Sequence, residues 1–235
     1  EVVFGDWSSD VCSSDLQIFE TLDQKNKTRY QADQTFAIKR IMQHIVREND
    51  AVFEYIPTSP TTVFLPKQRL MNPGHAIEAS WFLLDSYLMN DRKDSFLLDQ
   101  AKWIFDTMFQ RGWDPIYEGL FSFVDSSHLP PEALEWDMKL WWPQTEMMIA
   151  ALKLFQVTLN TQYLDYFEKV NSYFYRHFKI DDYEFLGYLH RDNQPSHFLK
   201  GNLFKGPFHI PRMFLEGIKT IECILKEQLN DNSTE

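Results

Sequence analysis

The fold of this chain is indicated by one stretch, Asn72-Pro73-Gly74-His75-Ala76-Ile77-Glu78-Ala79-Ser80-Trp81-Phe82-Leu83-Leu84. An asparagine followed by proline is typical of a helix start, because the asparagine side chain can cap the first turn and proline leaves no amide hydrogen unbonded. Apolar side chains then recur at i, i+4, i+7 and i+11, namely Ile77, Trp81, Leu84 and Leu88. This spacing predicts an amphipathic helix that continues to about residue 90.

The same periodicity predicts helices on both sides of this stretch. Their apolar stripes include Phe36, Ile38, Ile41 and Ile45; Leu97, Ala101, Ile104 and Met108; and Phe214, Ile218, Ile221 and Leu225. About seven helices are predicted, at 18–22, 32–47, 72–90, 94–111, 142–157, 162–177 and 211–229. The chain is therefore predicted to be all-α.

The predicted links between helices alternate in length. They are short at 90–94 and 158–161, and long at 49–73, 113–140 and 179–208. Structureless loops longer than about 12–15 residues are usually functional or disordered, and these contain many aromatic side chains. The pattern predicts stacked helical hairpins whose long loops form a working face.

Composition excludes several classes of protein. The 235 residues are 44% hydrophobic and carry a formal net charge of -11, which disfavours binding to nucleic acid. No apolar run approaches the roughly 18 residues that a membrane span needs, so no membrane association is predicted. The two cysteines suit a reducing compartment, and a cytoplasmic location is expected.

The first sixteen residues are set apart from the rest. They repeat Ser-Ser-Asp at 8–10 and 13–15, and they show neither helical nor strand periodicity. They resemble translated sequencing-adapter DNA more than a signal peptide. We therefore expect residues 1–16 to be non-native and residues 17–235 to form the domain.

Three segments carry candidate chemistry. His75 and Glu78 share one face of a helix start, Trp142 and Glu146 lie four residues apart, and His209 precedes Arg212 where a long loop enters a helix. Histidine titrates near neutral pH, and a nearby carboxylate can orient its ring, so acid–base catalysis is one interpretation. Solvent-exposed helix-start residues, a buried tryptophan pair and a capping histidine are the structural alternatives. No motif predicts a metal site.

Taken in order, these segments resemble the N-acylglucosamine 2-epimerase family, which includes the renin-binding protein and the cellobiose 2-epimerases. The matching stretches are 69–84, 139–146 and 200–212, and the resemblance extends from residue 17 to 229. It implies an (α/α)6 barrel with its active site where the long loops meet. It covers only about the C-terminal half of such a protein, so a partial barrel of doubtful activity is expected.

The resemblance also implies a site and a reaction. The sugar would open, and C2 of an N-acyl-D-glucosamine would be deprotonated and reprotonated to give N-acyl-D-mannosamine, without a required cofactor. A nucleotide activator and a homodimer of the full-length protein are known possibilities in such a family. The implied catalytic residues are His75, His209, Glu78 and Glu146, with the two glutamates setting the tautomer and basicity of the histidines. The implied substrate-binding residues are Trp141, Trp142, Gln144, Lys205 and Arg212.

Other functions remain open from the sequence. An aldose–ketose isomerase or a cellobiose or mannose 2-epimerase would share the enediol chemistry, and a glycoside hydrolase would use Glu78 and Glu146 as its carboxylate pair. A non-catalytic interaction protein is the alternative of another class.

The sequence also departs from the family in two places. Family members often carry Gly-Glu-Trp in the segment that corresponds to 183–188, and an active-site arginine from the family's N-terminal helices has no counterpart here.

Overall fold

A computed structural model describes residues 4–5, 27–57, 65–181 and 184–231 of the chain. These residues contain six α-helices: α1 (Lys27–Gln43), α2 (Pro73–Met89), α3 (Ser95–Gly112), α4 (Trp141–Thr158), α5 (Thr161–His177) and α6 (His209–Asp231). Two 3₁₀ turns lie at Arg47–Asn49 and Pro66–Arg69. The prediction of a mostly helical chain is confirmed. The predicted helix at 18–22 lies outside the described residues, as does all of the segment 1–16 except residues 4–5.

The long loops contain short antiparallel strand pairs. The strands are β1 (Phe4–Gly5), β2 (Ile45–Val46), β3 (Ala51–Val52), β4 (Ile56–Pro57), β5 (Leu70–Met71), β6 (Val124–Asp125), β7 (Lys139–Leu140) and β8 (Tyr188–Leu189). They pair as β1–β4, β2–β3, β5–β6 and β7–β8. These pairs satisfy backbone groups that irregular loops would otherwise leave unbonded.

One predicted helix was wrong at both ends. The helix expected at 32–47 begins at Lys27 and ends at Gln43. Its C-terminal end is replaced by the β2–β3 hairpin, in which Ile45 pairs with Val52. The β-branched residues Ile45 and Val46 favour a strand, and Asp50 supplies the left-handed conformation at φ 47° that reverses the chain.

The described residues divide into two compact units. The first contains residues up to Gly112 together with Phe123–Trp136, and the second contains Trp113–Ser122 together with residues from Asp137 onward. In the first unit α2 packs against α3. The predicted α2 and α3 stripes form its core, since Ile77, Trp81, Leu84 and Ile104 are all buried.

The second unit is built around α4. This helix packs against both α5 and α6, and 14 of its 18 residues are buried. Asn160 caps α5 by accepting a hydrogen bond from the backbone N–H of Gln162, after Leu159 ends α4 in the left-handed conformation. The link within the α4–α5 hairpin is short and the links before and after the hairpin are long, as the sequence predicted.

None of the helices in the described part of the chain combines the length and hydropathy that a bilayer span requires.

Candidate active site

In the first unit, His75 is held by a buried carboxylate. Its Nδ1 lies 3.0 and 3.1 Å from the two carboxylate oxygens of Glu54. The Glu54 side chain is 6% exposed, whereas 35% of the His75 side chain is accessible. A carboxylate at Nδ1 holds the proton there and leaves Nε2 to accept or donate a proton.

The backbone around both residues is anchored. Helix α2 begins at Pro73, close to the predicted start at residue 72, and Asn72 caps it, because its Oδ1 accepts the backbone N–H of His75 at 3.1 Å. The backbone N–H of Glu54 donates to the carbonyl of Leu70 at 2.8 Å. The residues that flank the start of α2 thus fix both partners of the His75–Glu54 pair.

Glu54 was missed by the sequence patterns. The sequence assigned the orienting role at His75 to Glu78, which lies half-buried three residues later on α2. In the structure the carboxylate that contacts Nδ1 of His75 belongs to Glu54, twenty-one positions before the histidine. A signal existed, because Glu54 is a lone acid within the apolar run 51–56. A buried carboxylate in such a run requires a partner.

In the second unit, His209 and Arg212 converge on Glu146. Nδ1 of His209 lies 2.8 Å from Oε1 of Glu146, and the Arg212 guanidinium lies 2.7 Å from the same oxygen. Glu146 is on α4 and fully buried, while His209 begins α6 and Arg212 follows one turn later. The structure therefore brings together three of the residues that the sequence predicted.

The charge of Glu146 determines which ring nitrogen of His209 donates the hydrogen bond in this cluster. Burial acts to raise the pKa of Glu146, but the hydrogen bond from His209 and the positive charge of Arg212 outweigh it and hold this pKa below its usual value. Glu146 is therefore ionised at neutral pH and can only accept hydrogen bonds. Nδ1 of His209 is therefore the donor in the 2.8 Å contact, which leaves Nε2 as the ring nitrogen for proton transfer.

Aromatic rings surround His209. The centroid of the Trp142 ring lies 5.4 Å from that of the His209 ring with the planes tilted by 33°, and the centroid of the Trp141 ring lies 6.2 Å away with the planes at 78°. Trp141 is buried, and its ring also meets that of Tyr188, so it supports the cluster. Trp142 is only half-buried and can offer a ring face to a sugar.

Two other predicted substrate-binding residues make contacts within the protein. Gln144 is fully buried, and its amide accepts the N–H of Leu120 while donating to the carbonyls of Leu120 and Leu140. Lys205 is also buried, its ammonium donates to the carbonyl of Lys200, and burial lowers its pKa. Both side chains thus make hydrogen bonds to backbone groups of neighbouring loops.

A buried ion network beside α4 was not predicted. Lys139 and Asp114 are both fully buried and lie 3.0 Å apart, and Arg191 approaches the same Asp114 oxygen at 3.2 Å. Burial acts to raise the pKa of Asp114, yet the backbone N–H of Ile116 and the two cations hold it below its usual value. The network joins the loops at 113–122 and 187–191 to the segment that leads into α4.

Comparison with known proteins assigns the family. Residues 15–205 match the family described as N-acylglucosamine 2-epimerase (GlcNAc 2-epimerase). The bovine N-acylglucosamine 2-epimerase is 41% identical over 182 residues, which are 74% of this chain and 41% of the bovine protein. The human protein of the same name is 37% identical over 198 residues, 81% of this chain and 44% of the human one. The chain thus spans less than half the length of these relatives.

Solved structures show the fold. A cellobiose 2-epimerase from Bacillus thermoamylovorans aligns with a TM-score of 0.70 at 18% identity, covering 87% of this chain and 51% of that one. A cellobiose 2-epimerase from Spirochaeta thermophila aligns with a TM-score of 0.67 at 20% identity, covering 89% and 51%. The predicted fold class, part of an (α/α)6 barrel, is confirmed. From its motifs, its fold and these matches, the chain belongs to the N-acylglucosamine 2-epimerase family.

Proposed function

We propose that this chain forms part of an (α/α)6-barrel enzyme that interconverts N-acyl-D-glucosamine and N-acyl-D-mannosamine. The observation that carries the proposal is the His209–Glu146–Arg212 cluster, in which an ionised carboxylate leaves Nε2 of a partly exposed histidine as a base. The His75–Glu54 pair repeats the same arrangement in the other unit. Support for the substrate comes from the curated relatives, which are named for this reaction.

The chemistry explains why two histidines are useful. In the open-chain sugar, the proton on C2 is acidic because the resulting carbanion is delocalised onto the aldehyde oxygen as an enolate. Inversion requires that a proton leave one face of C2 and that a proton return to the other face. Two imidazole groups can divide these steps as general acid and general base, and each contributes about 10²–10⁴-fold to the rate. We propose that His75 and His209 are these groups.

The neighbouring residues have distinct proposed roles. Glu54 and Glu146 keep the proton on Nδ1, so that Nε2 is the ring nitrogen that transfers a proton. Arg212 neutralises Glu146, and its positive charge would stabilise the negative charge that develops on an enolate oxygen. Trp142 supplies an apolar ring face for the C–H face of the sugar. The proton that leaves is replaced by another, so the reaction needs no net oxidant or reductant.

The test uses proton exchange at C2 in D₂O. The chain would be fused to the part of the bovine protein that it does not span, and each epimer would be followed by proton NMR. We expect epimerisation with deuterium incorporation at C2. His75→Asn and His209→Asn should each abolish epimerisation while still exchanging the C2 proton of one epimer, and the two variants should differ in which epimer they exchange.

Three outcomes would contradict this proposal. Turnover retained in either histidine variant would overturn the assignment of two proton-transfer groups. A ketose product would show an aldose–ketose isomerase instead. An active fusion that uses only cellobiose or mannose would reject the N-acyl hexosamine as substrate.

A further inference from the structure

Helices α4 and α6 are joined at two levels by charged side chains. At the first level, Glu146 of α4 meets His209 and Arg212 of α6. At the second level, Nζ of Lys153 on α4 lies 3.0 Å from Oε2 of Glu216 on α6. Lys153 follows Glu146 by seven residues, and Glu216 follows His209 by seven residues. Seven residues are close to two helical turns, so both levels lie on the same faces of two helices that run in the same direction.

The second ion pair is shielded from solvent. The side chains of Lys153 and Glu216 are 7% and 17% exposed. The other carboxylate oxygen of Glu216 accepts a hydrogen bond from Lys219 at 3.0 Å. Burial acts to raise the pKa of Glu216, but the two lysines outweigh it and hold this pKa below its usual value. A buried ion pair is often no more stabilising than apolar side chains of similar size, but it is satisfied in only one alignment of the two helices.

The order of the charges opposes sliding of α6 along α4. Helix α4 carries Glu146 and then Lys153, whereas α6 carries Arg212 and then Glu216. A slide of α6 by about one turn in one direction would bring Arg212 level with Lys153, so that two cations would meet. The opposite slide would bring Thr220 level with Lys153 and leave a buried ammonium group without its carboxylate, which is costly. The two levels together therefore select one axial position of α6.

The axial position of α6 determines the geometry of the candidate site, because His209 and Arg212 both lie in the first turn of this helix. A misplacement of about 1 Å can cost about 10²-fold in rate even when it arises far from the chemistry. We propose that Lys153 and Glu216 are positioning residues, which set the axial position of α6 and thereby hold Nδ1 of His209 against Glu146. Their effect on catalysis rests on the proposed function of His209, whereas their effect on its hydrogen bond does not.

The experiment reads the tautomer of His209 in the 235-residue chain. Long-range ¹H–¹⁵N spectra of histidine-labelled protein at mildly alkaline pH show which ring nitrogen carries the proton, and His209→Asn identifies the signals. In the wild type we expect the proton on Nδ1. In Glu216→Gln we expect both tautomers, so the ¹⁵N shifts of the two nitrogens should move towards each other. Glu222→Gln is the matched control, because Glu222 lies in an exposed pair with Lys226 on the same helix, and it should keep the wild-type shifts.

A charge swap separates positioning from a loss of fold. Lys153→Glu places two carboxylates together and should disturb the His209 signals, whereas Lys153→Glu combined with Glu216→Lys restores an ion pair and should return them. In the fused enzyme, Glu216→Gln should lower kcat for C2 exchange by at least about 10-fold with little change in KM, and the swapped variant should recover most of it. A merely structural pair would change the urea midpoint and move neither readout.

The proposal is overturned if Glu216→Gln and Glu222→Gln give the same His209 shifts, or if the swapped variant behaves no better than Lys153→Glu. If far-UV circular dichroism shows that Glu216→Gln does not fold, Lys153→Met takes its place, since Glu216 then keeps its bond to Lys219. Unchanged His209 shifts in Lys153→Met would also overturn the proposal. The spectra need no substrate, so this failure is distinct from that of the proposed epimerase, which would appear as an inactive wild-type fusion.

Discussion

The two candidate catalytic histidines are alike in one respect: each has its Nδ1 against a carboxylate that is buried. For His75 the partner is Glu54 at 3.0 Å, and for His209 it is Glu146 at 2.8 Å. The two pairs differ in charge, because Glu146 also binds Arg212. The His209 cluster therefore contains a compensating cation beside its carboxylate.

Glu54→Gln tests the residue that the sequence did not reveal. A glutamine can donate to Nδ1 as well as accept from it, so the histidine tautomer with its proton on Nδ1 is no longer fixed. We expect C2 exchange in the fused enzyme to fall by about 10²–10⁴-fold, with little change in the urea midpoint. Glu48→Gln is the control, because Glu48 is an exposed acid in the same region. Equal rates in the two variants would remove Glu54 from the mechanism.

The lowered pKa of Glu146 predicts how stability depends on pH. Its carboxyl binds protons less readily in the folded chain than in the unfolded chain, so it contributes stability above its unfolded pKa, roughly 4.3. That contribution is lost as the pH falls through the lower, folded pKa. We therefore expect the wild-type urea midpoint to fall more steeply below about pH 5 than that of Glu146→Gln. Parallel pH curves would show that Glu146 is not the group responsible.

Residue patterns could predict site residues that lie in local motifs, but not residues that are recognised only by a partner far away in the sequence. His75, Glu146, His209 and Arg212 were found because each lies in a local motif, and three of them meet in the structure. Glu54 and the Asp114–Lys139 pair were not found, because their partners are 21 and 25 positions away. Helical spacing reveals neighbours three or four residues apart, whereas these contacts depend on how loops fold back.

At the scale of secondary-structure elements, both candidate catalytic histidines lie at the start of a helix. His75 is the third residue of α2, and His209 is the first residue of α6. The long hydrophobic stripes of α2 and α3 were predicted correctly, because they are buried against each other and packing agrees with periodicity. The end of α1 was predicted too late, since the β2–β3 hairpin competes for the same β-branched residues.

Asn72→Ala tests the link between a helix cap and the site. The substitution removes the acceptor for the His75 backbone N–H and should cost about 0.5–2 kcal/mol of unfolding free energy. It should also lower the rate of C2 exchange, because the first turn that carries His75 loses its anchor. Asn160→Ala is the matched control, since Asn160 caps α5 in the same way. We expect a similar stability loss there with an unchanged rate, and a rate loss in both variants would contradict a local effect.

For the whole molecule, the central fact is that two compact units correspond to about half of a solved barrel. The sequence patterns predicted the helices, the alternation of loop lengths and the family. They could not predict which apolar stripe is buried, because periodicity identifies an apolar face of a helix but not the element that packs against it. The α2 stripe is buried within its unit, whereas an apolar stripe on α6 has the same spacing and is exposed. This α6 stripe consists of Phe214, Ile218, Ile221, Leu225 and Leu229.

The last prediction concerns the stability of the chain by itself. Burying a large apolar side chain contributes about 1.5–3 kcal/mol, and the five residues of the α6 stripe are 43–69% exposed. Several kcal/mol of the stability of a closed barrel are therefore missing, which is a large part of the roughly 5–15 kcal/mol typical of a domain. We expect the chain alone to unfold at low urea, with tryptophan fluorescence and far-UV circular dichroism changing at different concentrations as the two units unfold separately. Fusion to the bovine segment should raise both midpoints and make them coincide, whereas a single coincident transition from the monomeric chain would show that it is already a complete cooperative unit.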